Sequence, residues 1–324
     1  MSVSALFRET RDEARSKSWQ ALVATLKPEA KGKKRTRKNE PSLTGASIEV
    51  VEVIDLTVLK KIYERRQELL PDVPSYQTLF RNFYDNTVAA NGRRVVCYQQ
   101  KAHGEDFGRY SSRNGASLQG LKHELRATLA HELYHQLDIG SAHPTILRSL
   151  AADHGWETPC LDHYVANREN VLAMFPAGRE RAKTTMLMLM FGGDPNENLP
   201  FFVDEFRQEL VKLARKIRVA FADTAKRLRL EESGADERKQ VYSFLSRVLQ
   251  DREAQCLVSA VHFMRSRGWE PGALLHDGLL VLKRPGHEID AALLGELSRE
   301  IEAKCSIRGI EFKLKEFGAR FDLQ

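Results

Sequence analysis

The sequence predicts an α+β fold. Helix-like and strand-like segments are interspersed without the regular β-α alternation of a parallel sheet. The stretch GALLHDGLLVL, 272–282, is two apolar runs around a polar tip, the signature of an antiparallel hairpin. Two long helical patterns, 203–231 and 242–267, carry apolar residues at helical spacing. A chain of 324 residues with 42% hydrophobic and 29% charged residues can bury a substantial core.

Taken in order, residues 1–26 show a weak helical pattern through Leu6, Trp19, Leu22 and Leu26. KPEAKGKKRTRKNEP, 27–41, is basic and poor in apolar residues, which predicts a flexible arm. Such an arm is as readily a solvated tail as a phosphate-binding segment or a localisation signal. SIEVVEVI, 47–54, has strand content, and 56–70 places Leu56, Leu59, Ile62 and Leu69 near one helical face. RRVVCY, 93–98, predicts a strand. Residues 146–175 and 179–191 predict helices, followed by the two long ones and the hairpin. EIDAALLGELSREIEAKC, 288–305, predicts a final helix and GIEFKLKEF, 309–317, a final strand.

The net charge of +6, from 50 Lys+Arg against 44 Asp+Glu, favours a polyanionic partner. Cys97, Cys160, Cys256 and Cys305 form no CxxC pair, so free thiols in a reducing compartment are expected rather than a structural zinc site. No apolar run reaches the length of a membrane span, and the N-terminus lacks a signal-peptide core. The expected protein is intracellular and cytoplasmic, not secreted, with no membrane partner.

Two neighbouring phrases offer different chemistries. His131-Glu132-Leu133-Tyr134-His135 matches the HExxH pattern of zinc peptidases. That chemistry requires a helix, on which i and i+4 share a face and both histidines reach one zinc. On a strand the two Cα atoms would stand ~13 Å apart. Leu121, Leu125, Leu129, Leu133 and Leu137 recur every four residues, as in a helix, whereas 133–139 also alternates, as in a strand. A third ligand is needed: Ser141 stands where a metzincin has His, and Glu157 is the gluzincin-type candidate.

The second phrase is DIGSAHPTIL, 138–147. Asp138 ends an apolar segment and precedes a turn into a helix, while Asp277 sits at the hairpin tip. Two carboxylates brought together from separate strands can hold two Mg²⁺ roughly 3.5–4 Å apart, the arrangement of two-metal nucleotidyl transfer. In RERAKTTMLMLMFGG, Arg179 and Lys183 lie at i and i+4, and Phe191 follows ~12 Å further along the helix. That face offers two cations for a triphosphate and an aromatic platform for a base. The plain alternative is a surface helix with solvated Arg and Lys.

The combination resembles family A DNA polymerases, the polymerase I-like group, over about residues 105–285. GRYSSRNGASLQ, 108–119, is similar to the family's TGRLSS…NLQN stretch, with Arg109 in place of its minor-groove Arg. LDIGSAHPTIL resembles motif A, with Asp138 as first metal ligand. RERAKTTMLMLMFG resembles the fingers motif R-x3-K-x7-Y-G, and LLHDGLLV resembles the motif C hairpin, with Asp277 as second ligand and His276 near the primer terminus. Gln250 looks like a template- or primer-contacting Gln. The blocks occur in the family's order. Three positions depart from it: His143 stands where the family has the Glu that excludes ribonucleotides, Phe191 replaces the fingers Tyr, and Gly278 replaces the motif C Glu.

The resemblance implies a right-hand polymerase with an antiparallel palm, helical fingers and a reduced thumb, since only about 60 residues separate the basic arm from Arg109. The implied division is 1–45 helix and arm, 46–104 reduced thumb-like region, 105–145 with 246–324 palm, and 146–245 fingers. It implies primer–template DNA and nucleoside triphosphates as partners, two Mg²⁺ (or Mn²⁺) as cofactor, and no proofreading domain. Asp138, Asp277 and Lys183 would be catalytic, Lys183 as general acid for pyrophosphate. Arg179, Lys183, Phe191 and His143 would bind nucleotide, and Arg109, Gln250 and His276 the primer–template. Alternatives are the zinc peptidase, a phage-type RNA polymerase or primase-like enzyme, and an inactive polymerase-derived nucleic-acid-binding module.

Overall fold

The computed structural model describes residues 47–102, 105–113, 116–195, 200–228 and 236–323. The expected helix at 1–26 and the arm at 27–41 lie outside them. Two compact units are present. The first comprises 151–223 and the segment ending at Leu245, and the second comprises 43–150, 224–230 and 246–324.

In the second unit, β1 (Ile48–Val53), β2 (Arg93–Ala102) and β3 (Glu105–Ser112) form a three-stranded antiparallel sheet in that order. Between β1 and β2 come α1 (Leu56–Glu64), α2 (Arg66–Leu69) and α3 (Pro74–Ala89). Asp55 caps α1 by accepting from the amides of Thr57 and Val58. The expected single helix at 56–70 is broken at Arg65, and α3 occupies a stretch to which the sequence patterns assign nothing. Its start is set by Pro74 in the first turn, where a missing N–H costs no hydrogen bond.

A four-stranded antiparallel sheet follows, in the order β5 (Pro271–Leu274), β6 (Gly278–Leu282), β4 (Tyr134–Ile139), β7 (Phe312–Lys315). The predicted hairpin is β5–β6. Two central neighbours make β4 a strand, and its Leu137 and Ile139 are buried along with Tyr134. The helical four-residue leucine repeat is realised only as far as α4 (His123–Ala130), which buries Leu125 and Leu129. The core joins these layers: Leu59 and Ile62 of α1, Phe80 and Phe83 of α3, Leu125 and Leu129 of α4, Tyr134 of β4 and Leu280 of β6 form one cluster. Tyr134 also bridges the sheets. Its hydroxyl accepts from Val53 N at 2.6 Å and donates to Val53 O at 2.9 Å. After β4 comes α5 (Ala142–Asp153), and α12 (Ala291–Cys305) precedes β7.

The first unit is helical. The expected helical stretch 146–175 divides into α5, which belongs to the second unit up to Leu150, α6 (Pro159–Ala166) and α7 (Arg168–Ala173). The first break contains Gly155 at φ +67 and ends at Pro159. Next come α8 (Arg179–Met190) and α9 (Phe201–Ala220); the pattern at 203–231 is interrupted at Phe221, and α10 (Ala222–Arg227) belongs from Thr224 onward to the second unit. Phe206, Leu210, Leu213, Ala214 and Ile217 form the buried stripe of α9. Glu209 on that helix accepts from the amides of Cys160 and Leu161 at 2.9 and 2.8 Å, satisfying the first turn of α6. Helix α11 (Glu237–Ser266) begins in the first unit, and its part from Ser246 onward belongs to the second.

Candidate active site

Strand β4 pairs antiparallel with β6, so that Asp138 stands opposite Gly278, next to Asp277. The amide of Ile139 donates to the carbonyl of Asp277 at 2.9 Å, which ties the strand end to the hairpin tip. Two carboxylates separated by 139 positions in the chain (277 − 138) are therefore placed side by side by one strand register. Gly278 makes the approach possible. A Cβ there would lie 2.5 Å from both Asp138 Oδ1 and the carbonyl oxygen of Leu137. The glycine at a position where family A polymerases carry Glu is thus a steric requirement of this strand pair.

Each carboxylate has a distinct setting. Asp138 Oδ1 accepts from Gln136 Nε2 at 3.0 Å, and Oδ2 accepts from Lys315 Nζ of β7 at 2.5 Å. Its side chain is 15% exposed. Asp277 is raised above the ordinary carboxylate range, first by removal from water and then by the negative charges of Asp138 and Glu253. Its side chain still reaches solvent at the hairpin tip. The like-charge repulsion from Asp138 and Glu253 is what a cation would relieve. Arg126 of α4 feels both aspartates, but burial is the larger influence and lowers its pKa.

Helix α11 supplies two buried carboxylates absent from the sequence expectations. Asp251 Oδ1 accepts from Gly108 N and Gln100 Nε2, each at 3.1 Å, and so fastens the helix to β2 and β3. Glu253 Oε2 accepts from Arg109 Nε at 2.8 Å, and its Oε1 lies 3.2 Å from His143 Nε2. Burial lowers the pKa of neighbouring His276, as does Arg109, whereas Glu253 and Asp277 oppose the shift. Arg109, His143, His276, Asp277 and Asp138 thus belong to one charged neighbourhood of the second unit. Gln250 lies on the same helix, one turn before Glu253, and donates to Ser246 Oγ at 3.0 Å. Asp251 and Glu253 carry no sequence signal of their own, because they stand among Gln250, Arg252 and Gln255 on an amphipathic helix and their burial is visible only in the fold. Arg126 and Lys315 carried none, because ordinary-looking cations acquire meaning only from what they face.

Arg179, Lys183 and Phe191 lie in the first unit. Arg179 and Lys183 share α8 at i and i+4, and Phe191 is its C-cap. Arg179 makes a two-point contact with Glu169 at 2.7 and 2.9 Å, and Lys183 Nζ contacts Glu180 Oε1 at 2.7 Å.

The geometry a zinc peptidase needs is not met. His131 lies in the turn after α4, its Nδ1 3.2 Å from the carbonyls of Ala127 and Thr128, whereas His135 is on β4 with its ring edge-on to Trp269 at 5.9 Å. The strand takes His135 off the helical face that HExxH requires. Among the described residues no three His, Cys, Asp or Glu side chains are grouped to hold a metal ion.

No protein-family model matches the chain. The chain is 27% identical over 276 residues to "Putative helicase V13" of Sputnik virophage, a match covering 78% of this chain and 34% of that protein. It thus spans about a third of the length of the curated relative it matches. It is also similar to the POL domain of Pol1 from M. smegmatis, solved in complex with DNA primer-template and dNTP. That likeness has a TM-score of 0.47 and 15% identity, and covers 97% of this chain and 63% of the other. No helix among the described residues is long and apolar enough to cross a membrane. The described residues form a mixed α+β protein with two antiparallel sheets and a helical unit, in which Asp138 and Asp277 come together at the β4–β6 strand end.

Proposed function

We propose that this protein catalyses template-directed nucleotidyl transfer, extending a primer 3′-OH on a DNA template. The observation that carries the reading is the juxtaposition of Asp138 and Asp277 at the β4–β6 strand end, with Asp277 held above its ordinary pKa partly by Asp138 and Glu253. A carboxylate whose proton affinity is raised by a neighbouring carboxylate, as Asp277's is, fits a divalent cation, and Mg²⁺ commonly takes one or two carboxylates and completes its shell with water and phosphate oxygens. Mg²⁺ held by Asp138 and Asp277, with Mn²⁺ as a substitute, would lower the pKa of the attacking hydroxyl and offset charge on the leaving pyrophosphate.

The chain's own residues would do the rest. Lys315 holds Asp138 Oδ2 and Arg126 adds a second positive field, so the pair is partly neutralised before substrate arrives. Arg109, Gln250 and His276 would contact the primer–template, and His143 would face the sugar. Arg179 and Lys183 would bind the triphosphate, with Lys183 giving a proton to pyrophosphate and Phe191 stacking near a base. Their present partners, Glu169 and Glu180, are surface carboxylates, and solvent-screened pairs of this kind exchange readily for phosphate. The family A form of this reading rests on the resemblance of the four sequence blocks. The helicase named in the virophage relative is not carried over, because the chain spans 34% of that protein.

A second reading, a polymerase-derived module that binds nucleic acid without catalysis, has one observation in its favour: Lys315 occupies an oxygen of Asp138 at 2.5 Å. One experiment separates the two. Primer extension is measured on DNA and RNA templates with dNTPs or rNTPs, in Mg²⁺ or Mn²⁺, for the wild type and for Asp138→Asn and Asp277→Asn. The catalytic reading expects extension by the wild type, none by either variant, and unchanged fold and DNA binding. Normal extension by either variant ends it. Duplex binding without incorporation under any condition selects the binding module.

A further inference from the structure

The four cysteines have unlike settings. Cys97 is half-buried on β2. Cys160 is buried in α6, where removal from water and then the neighbouring Glu209 push its thiol up, so it stays protonated. Cys256 and Cys305 are neighbours in space although 49 positions separate them (305 − 256). Cys256 and Ser259 stand three residues apart on α11 and so share a face. Cys305, the last residue of α12, lies against that face. Its Sγ is 3.3 Å from Ser259 Oγ, and the Cys256 thiol is its other polar neighbour. Hydrogen bonding with Cys256 is the largest influence on Cys305 and brings it down to about 7; Ser259, Arg252 and Lys304 act in the same direction, and burial opposes them. The same contact pushes the Cys256 thiol up. Cys256 is fully buried and Cys305 is 6% exposed, so Cys305 is the sulfur a small solute meets first.

We propose that Cys256 and Cys305 are a redox-active pair that closes into a reversible disulfide on exposure to a hydroperoxide, joining α11 to the end of α12. This chemistry stands whether or not the chain extends primers. The thiolate is the reactive form of cysteine, and Cys305 is the one placed to supply it. Its sulfur attacks one oxygen of the peroxide, the O–O bond breaks, and the departing oxygen leaves as water. The product is a sulfenic acid on Cys305, formed beside its resolving thiol. The sulfur of Cys256 then attacks the Cys305 sulfur, the S–S bond forms, and hydroxide leaves with the Cys256 proton as a second water. Two thiols are oxidised by two electrons, and the peroxide is reduced to water. Neither Cys97 nor Cys160 has a cysteine partner of this kind among the described residues. The bridge would tie the helix that carries Asp251 and Glu253 to the helix that leads into β7 and Lys315.

The test uses the full chain, first reduced, then exposed in native buffer to hydrogen peroxide, alkylated under denaturing conditions and mapped by mass spectrometry. The reduced protein is expected to carry all four cysteines alkylated. The oxidised protein is expected to lose two of those four labels, to yield one linked peptide pair containing Cys256 and Cys305, and to regain the labels with dithiothreitol. Cys305→Ser is expected to form no bridge. Cys256→Ser is expected to stop at a sulfenic acid on Cys305, captured by dimedone, which a merely structural packing role would not produce. Cys160→Ser is expected to bridge like the wild type. Circular dichroism reports the fold of each variant, and where a variant does not fold the wild-type peptide map decides by itself. Four alkylated cysteines after peroxide, a bridge that includes Cys97 or Cys160, or oxidation of Cys305 to the sulfinic acid with Cys256 left free would each overturn the proposal.

Discussion

Gly278→Ala is the sharpest probe of the strand pair. The added methyl would stand 2.5 Å from Asp138 Oδ1 and 2.5 Å from the Leu137 carbonyl oxygen. Ordinary van der Waals contact begins near 3.4 Å, so close to 1 Å must open on two sides. The carboxylate could swing away only by leaving Gln136 and Lys315. The carbonyl cannot swing at all, because β4 is hydrogen-bonded to β6 on one side and β7 on the other. Overpacking of this kind costs about 1–3 kcal/mol. For the transition that includes the second unit, each kcal/mol corresponds to a fall in Tm of roughly 2–4 °C. Gly295→Ala is the contrast. It lies inside α12 with only the flexible end of Arg299 near the added methyl, at 3.6 Å, and is expected to stabilise by about 0.5–1 kcal/mol. The measurements are thermal unfolding by calorimetry and primer extension. Gly278→Ala should melt earlier and lose most activity, since Asp138 is displaced or its strand parted from the hairpin. A variant that melts and extends like the wild type would refute the close pairing of β4 with the hairpin, and with it the carboxylate site.

Glu52 gives a pH prediction. Burial pushes its carboxyl up to about 7, against the lowering influence of Arg94 at 3.1 Å and of the Leu118 amide. The folded state then holds a proton that the unfolded chain releases near 4.5, so this contribution to stability is complete below about 4.5 and is lost as pH rises through about 7. The urea midpoint should fall across that window in the wild type and fall less steeply in Glu52→Gln. Tyr134→Phe removes the hydroxyl that serves both Val53 N and Val53 O, two half-buried backbone groups; a loss of about 1 kcal/mol in equilibrium unfolding is expected. Lys315→Ala removes the cation on Asp138 Oδ2, so half-saturation of primer extension should need several-fold less Mg²⁺, of the order given by about 1 kcal/mol of charge interaction. An unchanged or higher Mg²⁺ requirement would count against a shared role for Asp138.

Much of the secondary structure was legible because it depends on periodicity. The hairpin around Asp277, helix α8 with Arg179 and Lys183, and the terminal helix and strand follow from local patterns of apolar residues and turns. Helix lengths were less legible. The breaks at Arg65, Gly155–Thr158 and Phe221 interrupt patterns that continue across them, because amphipathic spacing does not register where a chain must turn to pack. The segment 121–137 shows the limit of periodicity. Its leucines suit a helix throughout, yet the helix ends at Ala130 and Tyr134–Ile139 is a strand, because a place between β6 and β7 gives Gln136–Asp138 pairing partners on both sides.

The sequence by itself determined the α+β mixture, the helical face of α8, and the candidacy of Asp138 and Asp277 as carboxylates at turns after or between apolar runs. Whether they meet was decided by the tertiary structure, through a register in which Asp138 faces Gly278 and no Cβ intervenes. The same holds for Glu253, Asp251, Arg126 and Lys315. Each is an ordinary charged residue in the chain; Glu253, Asp251 and Lys315 acquire their roles from partners 100 or more positions away, and Arg126 from Asp138 and Asp277 together. Charge pairing and desolvation depend on distance in space and on access to water, and neither is encoded in the local order of residues.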